Sequence, residues 1–314
     1  GNLNFDFGKD FNEYFNDRFR GREEMVNLYG ARMHLQKNFI TKDVLKGDDN
    51  WLFLGWKKSI DSYTSRILFS EEELKAINMY LSSIDEYCRS NGKKFYFLIA
   101  PDKSKIYGEY YPKSLIPRKG MSRTEIMINY IQGHSNVKVI YPKERLLQEK
   151  AEGLLYFKHD THWNSLGAYY GYEELMKEIV LDFSEIQICS IKKDKNVDNF
   201  GDLDNMLPEI LRVHDSSKYI SPEIIEPRAK ISYPAIWNED FTTSENRYGN
   251  RNLLMFRDSF TTALIPYLAE SFRLCKCQCK HEVKPSLMKD ADVIVLEVVE
   301  RSLPGLVYQH LNLD

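Results

Sequence analysis

Two stretches of the chain carry side chains that can act together as a nucleophile and a base. Asp160 and His162 lie two residues apart, and Ser259 follows an aspartate much later in the sequence. A carboxylate can orient an imidazole as a general base, and an imidazole held in this way can activate a serine hydroxyl. These residue types predict a triad in which Ser259 is the nucleophile, His162 is the base and Asp160 orients the base.

Each half of this triad also has an ordinary structural explanation. A histidine beside an aspartate on a loop is often a solvated or capping pair, and Asp258-Ser259 before a helix is typical of an N-cap. The triad is the preferred interpretation because both halves follow an apolar run. The order Asp, His, Ser does not exclude it, since the same constellation occurs in several chain orders.

Strand-to-helix turns are predicted to hold both halves. Residues 154–157 are a short apolar run typical of a buried strand, and residues 165–180 have the apolar spacing of a helix. Residues 253–256 are a second apolar run, followed by Ser259 and by a predicted helix over 261–271. Catalytic groups of α/β folds lie at the carboxyl ends of strands, which favours a site where the two turns meet.

Strands and helices alternate from about residue 70 onward. Ser70 and Glu73 are predicted to form a capping box at the start of a helix. The alternation predicts an α/β three-layer sandwich with a mainly parallel sheet. The remaining predicted helices cover 71–89 and 122–132, and the remaining predicted strands cover 51–54, 94–100, 137–141, 186–191, 272–279 and 292–299.

The chain divides into an arm and one large domain on the basis of its patterns. Residues 1–46 are predicted to be an N-terminal helical arm or stem, and residues 47–314 a catalytic domain. Residues 192–250 contain several prolines, many charges and little periodicity, which is unusual for one loop of a compact domain. We expect an insertion there at about 192–250, built of short strands and forming part of the active-site wall.

Composition excludes several classes of protein. The net charge is −3 without a long basic run, which argues against nucleic acid as the main partner. No run of 18 apolar residues and no signal peptide is visible in the sequence. Five cysteines, an odd number, argue against a complete disulfide framework. Cys275, Cys277 and Cys279 alternate as strand residues on one face do, which favours small core residues over a metal site.

The same residues belong to segments that resemble the motifs of a known family. The run 160–164, Asp-Thr-His-Trp-Asn, followed by Gly167-Ala168, resembles the motif of the alginate O-acetyltransferase AlgX/AlgJ-like family of the SGNH-hydrolase-like superfamily. Four more segments resemble its motifs in the right order, namely 47–54, 100–107, 201–207 and 257–260. The resemblance spans roughly residues 45–303. Arg257 departs from it, because the family usually has glycine before Asp-Ser, and glycine permits a left-handed or crowded turn.

The resemblance implies a fold and a function. The fold would be SGNH-hydrolase-like but circularly rearranged, because the nucleophile unit comes late in the chain. The family's triad maps onto Ser259, His162 and Asp160. The activity would be O-acetylation of an exported or cell-surface polysaccharide through an acetyl-serine intermediate, without cofactor or metal. The domain would be extracytoplasmic, periplasmic or at the cell surface, and anchored by a segment preceding Gly1. Its partners would be the polysaccharide acceptor, an acetyl donor and a membrane-bound acyltransferase.

Substrate contacts and the fate of the acyl group are less well defined. Lys103, Trp163 and Arg257 are the predicted substrate-binding side chains, because a lysine can hold an anion and aromatic rings can line carbohydrate sites. A carbohydrate acetylesterase would use the same triad with water as the acceptor. A third alternative is a non-catalytic glycan-binding component of an export complex.

Overall fold

The structure is a computed structural model that describes residues 38, 40–197, 201–213, 215–234 and 241–312. The predicted N-terminal arm therefore lies almost wholly outside the described residues. Where the description begins, Val44–Lys46 form a strand and not the predicted helix. This strand pairs antiparallel with Leu52–Leu54, so that the strand predicted over 51–54 is confirmed.

The regular elements of the described residues follow in chain order. The strands are β1 (Val44–Lys46), β2 (Leu52–Leu54), β3 (Lys94–Ala100), β4 (Lys138–Ile140), β5 (Ile191–Val197), β6 (Tyr219–Ile224), β7 (Lys230–Ser232), β8 (Phe241–Glu245), β9 (Asn252–Phe256), β10 (Leu274–Gln278) and β11 (Val293–Val299). The α-helices are α1 (Lys57–Thr64), α2 (Glu71–Ser90), α3 (Lys103–Ile106), α4 (Arg123–His134), α5 (Lys143–Glu149), α6 (Ser165–Asp182), α7 (Asp202–Asn205) and α8 (Ile265–Ser271). Two 3₁₀ helices matter for the site, Ser259–Ala263 and Glu300–Tyr308.

A seven-stranded sheet forms the centre of the molecule, with the strand order β4-β3-β11-β9-β10-β8-β7. The pairs from β4 to β10 are all parallel, whereas β8 and β7 are added antiparallel at one edge. The mainly parallel α/β sheet predicted from the sequence is confirmed. The nucleophile unit, β9 to α8, comes late in the chain, yet β9 lies near the middle of the sheet.

Helices cover both faces of this sheet. Successive side chains of a strand point to opposite faces, and β3 shows this clearly. Phe95, Phe97 and Ile99 join the core beneath α2 and α4, whereas Tyr96, Leu98 and Ala100 join the core beneath α6 and α8. The three-layer arrangement therefore has two apolar cores, one on each side of the sheet.

Some of the predicted element boundaries agree with the structure and others do not. The Ser70 hydroxyl accepts a hydrogen bond from the Glu73 N–H and the Glu73 carboxylate accepts one from the Ser70 N–H, which confirms the capping box. The segment 261–271, predicted as one helix, is a 3₁₀ turn followed by α8. The short strand predicted over 186–191 is wrong, because β5 begins only at Ile191.

The segment 192–250 contains the short strands expected for it. β5 and β6 form a separate antiparallel pair, whereas β7 and β8 extend the central sheet. The division of the chain into arm, catalytic domain and insertion stays a prediction. Among the described residues, no helix combines the length and apolar character needed to cross a membrane.

Candidate active site

A loop between α5 and α6 holds Asp160 and His162. The apolar run 154–157 was predicted to be a strand, and this prediction is wrong, because only an isolated bridge joins Tyr156 to Trp163. Side chains satisfy much of the backbone instead. The Lys103 ammonium donates to the carbonyls of Phe157, Lys158 and Asp160 at 3.1, 2.9 and 2.6 Å. This lysine thus fixes the segment that leads into the catalytic pair.

The start of α6 packs tightly against the same loop. The Asn164 side chain caps the helix by accepting the Gly167 N–H at 3.0 Å. A β-carbon on Gly167 would lie 2.2 Å from the Leu155 carbonyl oxygen, so this close approach requires glycine. Gly171 in turn leaves room for the ring of Trp163, whose Nε1 donates to the Phe260 carbonyl at 2.8 Å. That bond connects the base loop to the nucleophile turn.

Ser259 opens the 3₁₀ helix just beyond the carboxyl end of β9. The Asp258 carboxylate accepts the N–H groups of Phe260 at 2.9 Å and Val299 at 2.7 Å, which anchors the turn to β11. Arg257 does not need the left-handed backbone that glycine favours, since it is not among the residues with positive φ. The departure from the family's glycine is therefore accommodated by an ordinary backbone conformation.

The two turns bring the predicted triad together. His162 Nε2 lies 2.7 Å from Ser259 Oγ, and His162 Nδ1 lies 2.7 Å from Asp160 Oδ1. The same Asp160 oxygen accepts the His162 backbone N–H at 2.8 Å, so the carboxylate fixes both the ring and its backbone. Both contacts to the ring have the length of good hydrogen bonds. Ser259 and His162 are only partly buried, so a substrate can reach them.

A second carboxylate, Asp202, lies beside the pair. Its oxygens accept the Thr161 N–H at 2.7 Å and the Thr161 hydroxyl at 2.6 Å, while its own N–H donates to Asp160 Oδ2 at 3.0 Å. Its nearer oxygen is 3.6 Å from His162 Nδ1. Gly201 makes this approach possible, because a β-carbon there would lie 1.8 Å from the His159 carbonyl oxygen.

The pKa values of the two carboxylates are shifted in opposite directions. Burial alone would raise the pKa of Asp160, but the hydrogen bond and the charge of His162 outweigh it and hold the pKa below the ordinary 3.8. Burial and the neighbouring Asp160 charge raise the pKa of Asp202 above 3.8. Because such separation of pKa values assigns different roles to paired acids, Asp160 is the ionised partner of the imidazole.

Asp160, His162 and Asp202 are also the group among the described residues whose geometry is compatible with binding a cation. Their ligand atoms all lie within 4.8 Å of one another. Every carboxylate oxygen of the two aspartates, however, already accepts an N–H or O–H hydrogen bond. The three side chains therefore form a hydrogen-bonded cluster whose carboxylate oxygens are already engaged by protein donors.

The three residues predicted to bind substrate are buried. Lys103, Trp163 and Arg257 are 4%, 1% and 2% exposed, and Lys103 Nζ and Trp163 Nε1 donate to backbone carbonyls. The Arg257 guanidinium donates to the Asp258 carbonyl and to the Thr262 hydroxyl. Their substrate-binding roles remain predictions, and the contacts described here favour positioning of the two turns.

Asp202 and Glu297 join the site although no role was predicted for either. Asp202 lies in one of the segments that carry the family resemblance, 201–207. Glu297 is fully buried in β11 and contacts the nucleophile turn. A single glutamate within the apolar run of β11 was the sequence signal that could have identified it, because a charged group is seldom buried there without a partner.

Comparison with known proteins assigns the chain to a family. The family model described as "SGNH hydrolase-like domain, acetyltransferase AlgX" matches residues 44–227, more than half of the chain. The chain belongs to this acetyltransferase family. The match includes Asp160, His162 and Asp202 but ends before Ser259. The role predicted for Ser259 therefore does not come from the family match, and it stays a prediction that the contact with His162 supports.

Solved structures share the fold of this AlgX-family protein. The O-acetyltransferase domain of Pseudomonas putida AlgJ is 20% identical, with a TM-score of 0.56 over 83% of this chain and 92% of that one. Bacillus cereus PatB1 with a sulfonyl adduct is 19% identical, with a TM-score of 0.57 over 85% and 99%. Pseudomonas aeruginosa AlgX is 14% identical, with a TM-score of 0.53 over 84% and 65%. No curated protein matches the sequence significantly.

Proposed function

We propose that this AlgX-family protein transfers acetyl groups to hydroxyls of a polysaccharide through an acetyl-Ser259 intermediate. The observation that carries the proposal is the continuous contact from Ser259 Oγ to His162 Nε2 and from His162 Nδ1 to Asp160, both at 2.7 Å. A serine, a base and an orienting carboxylate in hydrogen-bond reach are the requirements of serine acyl transfer.

The reaction follows from the roles of the three side chains. Ser259 Oγ attacks the acetyl carbonyl of the donor while His162 Nε2 takes the hydroxyl proton, and His162 returns that proton to the leaving group. A sugar hydroxyl then attacks acetyl-Ser259, again losing its proton to His162, and leaves as the acetyl ester with Ser259 restored. Asp160 keeps Nδ1 protonated and stabilises the imidazolium formed in both halves.

The oxyanion formed in each half needs preorganised donors. The backbone N–H of Ser259 is suited to this role, because it belongs to the first residue of a 3₁₀ helix, where N–H groups have no partner within the helix. It would lie directly beside the carbon that Ser259 Oγ attacks. This assignment is part of the proposal.

The substrate and the place of action come from the family resemblance and from the named neighbours. The acceptor is proposed to be an exported or cell-surface polysaccharide, and the domain is proposed to act outside the cytoplasm. A membrane-bound acyltransferase is the proposed source of the acetyl group. The AlgJ structure, described as an O-acetyltransferase domain, supports transfer over hydrolysis.

Substitution of the triad tests the catalytic roles. Ser259→Ala, His162→Ala and Asp160→Ala should each lower turnover of a chromogenic acetyl ester by about 10²-fold or more, because each removes a group that acts in the transition state. Ser90→Ala, which changes an exposed serine at the end of α2, is the control and should leave turnover unchanged. Full activity in Ser259→Ala would overturn the assignment.

A second assay separates transfer from hydrolysis. Oligosaccharide acceptors should increase donor consumption, since their hydroxyls intercept an acyl-enzyme that water attacks slowly. Mass spectrometry should find acetylated sugar in proportion to the donor consumed. Release of free acetate alone, across a broad panel of glycans, would instead identify an acetylesterase with the same triad.

A further inference from the structure

A single acidic side chain interrupts the central apolar strand beside the nucleophile turn. Glu297 is 0% exposed, and every other residue of β11 is buried and apolar. In register it faces Leu98 of β3, while pairing with β9 ends one residue earlier, at Leu296 and Phe256. Glu297 therefore lies where β9 leaves the sheet and the chain turns toward Ser259.

Beyond the last residue pair of β9 and β11, the Glu297 carboxyl provides hydrogen bonds between β11 and the nucleophile turn. Its Oε2 accepts the Asp258 N–H at 3.0 Å and the Thr261 hydroxyl at 2.8 Å. These two donors flank Ser259 on either side in sequence. In return the Asp258 carboxylate accepts the Val299 N–H at 2.7 Å, so three hydrogen bonds join the turn to β11. One oxygen atom thus restrains both ends of the segment that carries the nucleophile.

The charges around Glu297 favour its neutral form. Burial and the Asp258 carboxylate raise the pKa of Glu297 well above the ordinary 4.5. Burial opposes ionisation of Asp258 too, but His281, 3.5 Å away, and the backbone N–H donors lower the pKa of Asp258. Lys58, Arg257 and Cys279 are further titratable groups in these surroundings, and burial raises the pKa of the Cys279 thiol. A neutral carboxyl beside an ionised one avoids the repulsion that two buried charges would create.

We infer that Glu297 is a positioning residue of the acyl-transfer reaction, holding the nucleophile turn so that Ser259 Oγ faces His162 Nε2. This inference rests on the proposed function, because it concerns the orientation of the proposed nucleophile. Glu297 touches neither Ser259 Oγ nor the base in the described contacts, so its effect passes through Asp258 and Thr261. An error of about 1 Å in the position of a reacting group can cost about 10²-fold in rate.

Two substitutions at this position distinguish positioning from general destabilisation. Glu297→Gln keeps an acceptor oxygen and resembles the neutral acid, so kcat should stay within about threefold of the wild type. Glu297→Leu removes the acceptor, and kcat should fall about 10²-fold with little change in KM. Val298→Ala is the matched control, since it removes buried apolar atoms from the opposite face of β11. It should lower the melting temperature without lowering kcat of the folded enzyme.

The pH dependence of stability tests whether the Glu297 carboxyl is held in its neutral form. A carboxyl whose folded pKa is raised stabilises the fold fully below its unfolded pKa and loses that contribution as the pH rises through the folded value. Relative to Glu297→Gln, the wild type should therefore lose melting temperature as the pH rises above 4.5, the ordinary value for glutamate. Parallel melting curves for the two proteins across this range would contradict the neutral form of Glu297.

A covalent probe separates failure of this inference from failure of the proposed function. A sulfonyl fluoride should label Ser259 in the wild type and in Glu297→Gln, but about 10²-fold more slowly in folded Glu297→Leu. Absence of labelling in the wild type would overturn Ser259 as the nucleophile. Equal labelling of the wild type and Glu297→Leu would overturn the positioning role alone.

Discussion

Two carboxylates share one imidazole in this site, and their electrostatic environments differ. Asp160 accepts two hydrogen bonds from His162, whereas Asp202 bonds to Thr161 and approaches the ring no closer than 3.6 Å. The pKa of Asp160 is lowered and that of Asp202 is raised, the latter first by burial and then by the Asp160 charge. In the proposed mechanism, orientation of the base therefore belongs to Asp160.

Substitution of each aspartate by asparagine should show this difference. Asp160→Asn should lower kcat by at least about 10²-fold, because an amide cannot hold the imidazole in the required tautomer. Asp202→Asn keeps an acceptor for Thr161 and should lower kcat by about tenfold or less. Steady-state kinetics on an acetyl ester measure both. Equal losses in the two variants would contradict the assignment.

The same asparagine variant makes a prediction about stability. Because the folded pKa of Asp202 is raised, its ionisation costs stability once the pH passes that value. Asp202→Asn should therefore melt at a higher temperature than the wild type at neutral pH. The difference should shrink as the pH falls below 3.8, the ordinary value, because the wild-type carboxyl then becomes protonated in both the folded and the unfolded state.

The proximity of the three proposed triad residues was predictable from residue types, but the contacts of their neighbours were less so. Asp160, His162 and Ser259 each follow an apolar run, and that local signal is visible in sequence. The burial of Lys103, Trp163 and Arg257 depends on which way each side chain turns, and long-range packing decides that. Glu297 contacts the turn only because β11 lies beside β9, a pairing that no local pattern contains.

At the scale of elements, the base loop is held mainly by side chains from elsewhere. The run 154–157 has the composition of a strand, but the Leu155 N–H donates to the Tyr107 hydroxyl and the Lys158 N–H to the Tyr219 hydroxyl. Apolar composition predicts burial, whereas strand formation also needs a neighbouring backbone. The prediction failed because these N–H groups bond to side chains distant in sequence and not to a neighbouring strand.

Lys103→Met tests how much this loop depends on its central donor. Three carbonyl groups lose their ammonium partner, so hydrogen exchange in 157–160 should accelerate and kcat should fall. Lys113→Met, which changes a lysine whose side chain is 83% exposed, is the control and should alter neither. Unchanged exchange in Lys103→Met would show that the other contacts suffice.

Because Lys103 is buried, its replacement should also change how the melting temperature depends on pH. Burial lowers the pKa of Lys103 to about 7 from 10.5, although nearby aspartates act in the opposite direction. Between these values the unfolded chain binds more protons than the folded one, so the contribution of Lys103 to stability rises with pH. Lys103→Met should remove that rise from the melting temperatures measured over this range.

Gly201 is the second point at which an element depends on one close approach. In Gly201→Ala the new β-carbon would meet the His159 carbonyl oxygen at 1.8 Å and the Asp160 nitrogen at 2.8 Å, both backbone atoms. The segment carrying Asp202 must then move away from the base, so both melting temperature and kcat should fall.

Gly133→Ala is the matched control for this substitution. Gly133 lies in α4 with nothing within 4 Å of the added carbon, and alanine there should stabilise the helix by up to about 1 kcal/mol. If both variants fold and react like the wild type, the close approach at Gly201 is not required for stability or activity.

At the scale of the whole molecule, the fold class was predictable and the strand order was not. Alternating strands and helices indicate a mainly parallel sheet, because parallel neighbours need a crossover between them. The addition of β7 and β8 antiparallel at one edge depends on pairing between distant segments. The same holds for β11, which lies between β3 and β9.

That central position of β11 affects how the protein matures. The ribosome releases Lys103, the Asp160–His162 loop and Asp202 long before it releases β11, the last strand of the described chain. The nucleophile turn has its anchors, Glu297 and Val299, only on that strand. A nascent chain can therefore assemble the proton acceptor while its serine still lacks a fixed direction. The direction of the Ser259 side chain toward His162 is therefore set only once β11 has paired between β3 and β9.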